Sequence, residues 1–252
     1  MLRRTLVILT TLATLVVNIL ANALPLNGLS TAEISDRFQV YFVPAGYVFS
    51  IWGLIYLGLI AYTIFQALPS QADNPRMIKT GYLVVLSNIA NSAWLFLWHY
   101  EQFPLTIVAM LALLLTLIAI YLRLGNGRLE VPVLEKWAAQ VPFSIYLGWI
   151  TVATVANATD LLDYLNWNGF GIAPEIWMSI MLAAVLVIAA LMSFTRGDIA
   201  YTLVILWALV GITVKNSGIP AVVIPTWITF GLVALALLIA LRRRPALKAG
   251  RA

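Results

Sequence analysis

The side chains best placed for chemistry in this chain are tryptophans and amides set at helical spacing. Asn88, Asn91 and Trp94 follow one another three apart, with Trp98 one turn further on, so they share one helix face. Trp149, Ala153 and Asn157 recur four apart, with a small residue in the middle of the stripe. Trp52 and Tyr56 are also four apart. In hydrocarbon an asparagine must find a partner, so a face that carries one points at other helices. A small residue beside a tryptophan either lets two helices approach or leaves room for a flat ligand. Aromatic walls with a few polar groups are binding chemistry: the walls hold a planar apolar body and the polar groups orient it. The competing reading is ordinary packing plus aromatic belts at the membrane interface. That reading suits Trp137, Trp167 and Trp177, which fall at the ends of apolar runs. It suits Trp52, Trp94 and Trp149 less well, because they fall within their runs.

Other chemistries lack parts. The chain has no cysteine, which removes disulfides, thiolate metal sites and cysteine nucleophiles. Its single histidine, His99, falls at the outer end of an apolar run, where a lone imidazole is more often solvated than bound to a haem iron. No carboxylate dyad, metal-hydrolysis set or Ser-His-Asp set can be assembled. Glu101, Glu175, Asp198 and Lys215 all stand at the ends of apolar runs, which argues against proton coupling through a membrane-buried acid.

The elements that must position these residues are transmembrane helices. Of the 252 residues, 62% are hydrophobic and only 10% are charged, against roughly 25% charged in a soluble domain. The net charge of +5 does not point to nucleic acid, because the basic residues sit in short clusters beside apolar stretches. About 20 apolar residues cross a bilayer core. Eight stretches qualify or nearly do: 5–24, 47–68, 81–98, 103–122, 137–157, 176–194, 199–214 and 222–241. They are too long and too uniformly apolar for barrel strands. The seventh is the weakest, being short and bordered by Asp198 and Lys215. With eight spans and a cytoplasmic start, 13 of the 15 basic residues lie inside, and only Arg37 and Lys215 lie outside. Omitting the seventh span would export Arg242, Arg243 and Arg244. Arg3-Arg4, an apolar run and Ala21-Asn22-Ala23 also imitate a signal peptide, but the run is long for one, so the first span is expected to be retained. Two outside loops, 25–46 and 160–175, are long enough to cap a cavity.

At these residues the chain resembles the TspO/MBR family of tryptophan-rich sensory proteins. Tyr146-Leu147-Gly148-Trp149, then Ala153-Thr154, then Asn157 is similar to that family's fifth-helix signature. Asn91-Ser92-Ala93-Trp94 resembles its third-helix Asn-x-x-Trp, and the stretch from Pro44 through Trp52 to Tyr56 resembles the opening of its second helix. The resemblance covers roughly residues 1–160. It departs at Tyr47, where the family usually has tryptophan, in the first loop, which lacks Lys-Pro-x-Trp, and after Tyr164, where no basic residue completes a cholesterol motif.

The resemblance implies a five-helix bundle over 1–160; the span count adds about three transmembrane helices over 161–241 and a basic cytoplasmic tail over 242–252, so the expected fold is an all-α integral membrane protein. The resemblance also implies a pocket in which Trp52 and Trp149 stack on a ligand, Asn91 and Trp94 form the wall and Ala153 leaves space, with Tyr56 and Asn157 completing the set. The implied ligand is a porphyrin, a haem or another flat hydrophobic molecule, with no resident cofactor and no metal. The implied partners are membrane lipid, the small-molecule ligand and, as in many family members, a second copy of the chain. The expected function is a multi-pass receptor or sensor in the cell membrane, both termini cytoplasmic. The alternatives are a transporter of tetrapyrroles or similar molecules, a light-dependent porphyrin-degrading enzyme, and a scaffold for another membrane protein.

Overall fold

Backbone in hydrocarbon has no water to bond, so an apolar run must satisfy its own N–H and C=O groups by coiling. The computed structural model describes residues 1–24, 26–243 and 248–249. Its eight long helices are α1 (Leu2–Ala23), α2 (Ile51–Ala67), α3 (Pro75–His99), α4 (Phe103–Leu124), α5 (Val141–Tyr164), α6 (Pro174–Arg196), α7 (Ile199–Lys215) and α8 (Pro220–Arg242). A 3-10 turn, Gly46–Ser50, leads into α2, and a π-helical turn, Lys136–Gln140, leads into α5. Among the described residues, seven helical segments are long and apolar enough to cross a membrane, and α7 is shorter. Large apolar side chains cover the outside, among them Leu12, Leu57, Leu115, Leu191 and Leu238. A surface of this kind needs lipid against it.

The punctuation is local. Proline occupies the first turn of α3, α4, α6 and α8, where its missing N–H costs nothing. Gly125 and Gly197 close α4 and α6 in the left-handed conformation. The structure starts α3 at Pro75 and carries α5 to Tyr164, beyond the apolar stretches 81–98 and 137–157, because a helix continues through polar residues while its side chains find partners. Asn74 caps α3 by accepting from the Arg76 N–H at 3.0 Å.

Side-chain bonds fix which helix ends share a face. Arg4 donates to the Leu68 carbonyl at 3.2 Å, Arg123 to that of Lys79 at 2.8 Å, and Arg196 to that of Asn126 at 3.4 Å. Arg76 and Glu135 form a buried ion pair on the same face. This face carries the start of α1 and the end of α8. Of the basic tail over 242–252, residues 244–247 and 250–252 lie outside the described residues, and Lys248–Ala249 pair in parallel with Leu129–Glu130.

Inside, α3 packs chiefly on α1 and α4, and α5 lies between α2, α4 and α7, while α6, α7 and α8 pack on one another. Helix crossings are close where glycine allows it. A Cβ on Gly148 would stand 3.0 Å from the Tyr201 carbonyl oxygen, and one on Gly58 would stand 2.8 Å from Pro142 Cβ. These approaches hold α5 against α7 and α2.

Candidate functional site

The inward faces of α2, α3 and α5 meet under the first loop. Trp52 stacks on Tyr56 (centroids 5.7 Å apart, 27° between planes) and stands edge-on to Trp149 at 6.5 Å. Trp94 stacks on Trp98 at 5.5 Å and 20°. Phe49, in the 3-10 turn that leads into α2, meets Trp149 edge-on at 5.6 Å. Trp94 Nε1 donates to Asn157 Oδ1 at 3.3 Å, and Asn157 Nδ2 donates to Thr106 Oγ1 at 2.9 Å, joining α3, α5 and α4.

Two chambers open among these rings. The larger, about 440 Å³, lies between α1, α2 and α3 and includes Asn18, Ile19, Tyr56 and Leu95 in its walls. The smaller, about 40 Å³, lies beside it under the roof and includes Met110, Trp149, Ala153, Asn157 and Asp160. Thr31, Phe49, Trp52 and Trp94 line both chambers.

The roof is the loop 26–45. Its short helix Thr31–Ser35 starts with a reciprocal cap between Ser30 and Glu33, and the Ser30 backbone N–H and hydroxyl hold the Glu33 carboxyl below the usual carboxylate range. The loop is tied to the rest of its face at several points. Arg37 pairs with Glu101 at 2.6 Å, Lys215 with Asp36 at 2.7 Å, and the Gln39 N–H donates to Asp163 at 3.2 Å. Tyr41 donates to Glu175 at 3.0 Å, a bond that pushes its phenol above the ordinary tyrosine value. The Ala45 N–H donates to the Gly211 carbonyl at 3.1 Å.

A family model described as TSPO-like protein matches residues 4–240. The chain belongs to the TSPO-like protein family. No curated protein and no solved structure matches it. The match runs through α6, α7 and α8 as well as through the first five helices, three of which carry the motifs.

In this TSPO-like chain Trp52, Tyr56, Trp94, Trp149, Ala153 and Asn157 all line one chamber or the other. Asn91 lines neither. It is buried one turn below Trp94, where its Oδ1 accepts from Asn18 Nδ2 at 2.8 Å, and the Asn18 Oδ1 in turn accepts from the Tyr56 hydroxyl at 3.0 Å. Its expected place in the wall is therefore replaced by a place in the polar net behind it. His99 is fully buried rather than solvated, because the roof folds over it: Nδ1 faces the Leu26 carbonyl at 3.0 Å and Nε2 the Thr31 hydroxyl at 3.1 Å. Among the described residues no group of three or more His, Cys, Asp or Glu is placed to hold a metal ion. Asp160, assigned by sequence to the start of an outside loop, is in α5 and buried in the smaller chamber. Asn18 and the roof residues Thr31 and Ser35 also escaped the sequence reading, having no aromatic or periodic signature.

Proposed function

We propose that this TSPO-like chain is a multi-pass membrane receptor or sensor that binds flat hydrophobic ligands, porphyrin-like ones among them, between α1, α2, α3 and α5. The observation that carries the reading is the pair of adjoining chambers with shared aromatic walls. About 440 Å³ falls within the range of small-molecule sites. The rings of Trp52, Tyr56 and Trp94 offer faces and edges to a planar body, and the polar atoms of Asn18 and Thr31 can orient it. The basic residues concentrate on the face that carries the chain's start, which supports placing both ends of α1–α8 in the cytoplasm. Transport remains the second reading, favoured by the way the larger chamber extends to Ile19 and Ala23 beside the exposed outer side of α1.

Quenching of tryptophan fluorescence by protoporphyrin tests the reading. Saturable quenching at micromolar ligand is expected for the wild-type protein. Trp52→Leu is expected to weaken the affinity by up to about tenfold, the loss of one aromatic contact of about 0.5–1.5 kcal/mol. Trp137→Leu, at an exposed residue outside both chambers, serves as the control and is expected to leave it unchanged. Unsaturable quenching, or equal loss in both variants, would remove the site. Uptake of the same ligand into vesicles would favour transport over sensing.

A further inference from the structure

Asp160 stands in the last turns of α5, three residues beyond Asn157, on the stripe that carries Trp149 and Ala153. The residue is 2% exposed, lines the smaller chamber, and its Oδ1 has no hydrogen-bond partner among the described residues. Its own helix does not support a negative charge there, since the last turn of a helix presents the negative ends of its carbonyls. The charged groups that act on it are Lys215 from α7 and Asp163 from α5. Lys215 is already engaged by Asp36 at 2.7 Å, while Asp163 has the same sign and is held by the Gln39 N–H. A buried carboxyl group without a partner is costly, and acids at membrane depth usually face a cavity and pair there. A second buried polar atom of the same chamber, Trp149 Nε1, also lacks a hydrogen-bond partner among the described residues. The remaining walls are largely apolar, including Val43, Met110 and Val152.

The two volumes divide the task. About 40 Å³ holds a few water molecules or one small polar head, and no ring system. About 440 Å³ next door holds the ring system. We propose that Asp160 anchors a protonated amine, so that this cavity selects flat apolar molecules bearing a short cationic arm. The arm enters between Ala153, Asn157 and Asp160 while the flat body lies against Trp52 and Trp94. An anionic arm meets no Lys or Arg among the described lining residues of the smaller chamber and loses its hydration on entering it. The proposal rests on reading the paired chambers as a ligand site and names the chemistry that site prefers.

The test uses the full chain in lipid nanodiscs and three probes with one flat body: 1-pyrenemethylamine, 1-methylpyrene and 1-pyrenecarboxylate. Energy transfer from tryptophan to pyrene, corrected by empty nanodiscs, reports binding. The amine is expected to bind about tenfold or more tightly than methylpyrene, the usual scale of a charge-assisted hydrogen bond, and the carboxylate more weakly than either. Asp160→Asn should abolish the preference for the amine over methylpyrene. The wild-type ranking is itself decisive, so the proposal does not depend on the variant folding. Equal affinity for the three probes, or a preference for the amine that survives in Asp160→Asn, would overturn the amine anchor while leaving the flat-ligand site intact. No saturable binding of any probe would overturn the site and the anchor together.

Discussion

At the scale of single residues, the polar net behind the chambers is the part most exposed to mutation. Asn18, Asn91 and Tyr56 hang from α1, α3 and α2 and bond in sequence, Tyr56 to Asn18 at 3.0 Å and Asn18 to Asn91 at 2.8 Å. In Asn91→Leu, Asn18 loses one of its partners, and the membrane supplies no water to replace it. The expected cost is about 1–2 kcal/mol, and Tyr56→Phe at the end of the chain should cost about half of that. Denaturant unfolding in detergent checks both, and a neutral Asn91→Leu would mean that the net contributes nothing to stability. The tryptophans and the α5 stripe were legible because helical spacing alone places them on shared faces. Asp160 was missed for a physical reason: Asn157, Thr159 and Asp160 break the apolar run, and hydropathy ends a span where apolar content ends. The spacing from Trp149 through Ala153 and Asn157 does continue to Asp160, so the periodicity held a signal that hydropathy concealed. The burial of His99 was not legible, since it depends on a loop 68 residues earlier in the chain folding over it.

Elements show the same division between local and distant causes. The eight apolar runs all became helices, and even the weak seventh did, although 17 residues reach only about 25 Å at 1.5 Å each. It tolerates that length because neighbours enclose it: Tyr201, Ile205, Ala208, Leu209 and Ile212 are all buried. Its Gly211 receives the roof. A Cβ there would stand 2.2 Å from Val48 Cγ2 and 2.9 Å from Pro44 Cβ, beside the Ala45-to-Gly211 backbone bond. Gly211→Ala must therefore push the roof off α7, at an overpacking cost of about 1–3 kcal/mol. A lower thermal midpoint and faster proteolysis within 26–45 are the expected results. Gly231→Ala, which meets nothing within 4 Å, is the matched control and should change neither. If both variants behave alike, the roof is not seated on α7. No sequence pattern marks Gly211 as a seat, because its close contacts come from residues more than 150 positions away.

For the molecule as a whole, hydropathy and charge made the multi-pass architecture legible, while the motifs that suggested the family stopped near residue 160. The family match continues to 240, and α6, α7 and α8 pack together and against α5 through α7, so the last three helices stand within the matched region. What a sequence expresses only statistically is orientation. Thirteen of 15 basic residues fall on one face when eight spans alternate, and each Lys or Arg in a short loop favours the cytoplasmic side. The absence of cysteine from the chain makes the test direct, since every introduced thiol is unique. Asn168→Cys and Ser217→Cys lie exposed on the roof face, and Ser70→Cys and Arg128→Cys lie exposed on the face that carries the chain's start. In intact cells a membrane-impermeant maleimide is expected to label the first two. The second two should label only after permeabilisation. The opposite pattern would invert the molecule, placing the basic clusters outside and opening the roofed chambers toward the cytoplasm, so that a sensor built on this cavity would read an internal ligand rather than an external one.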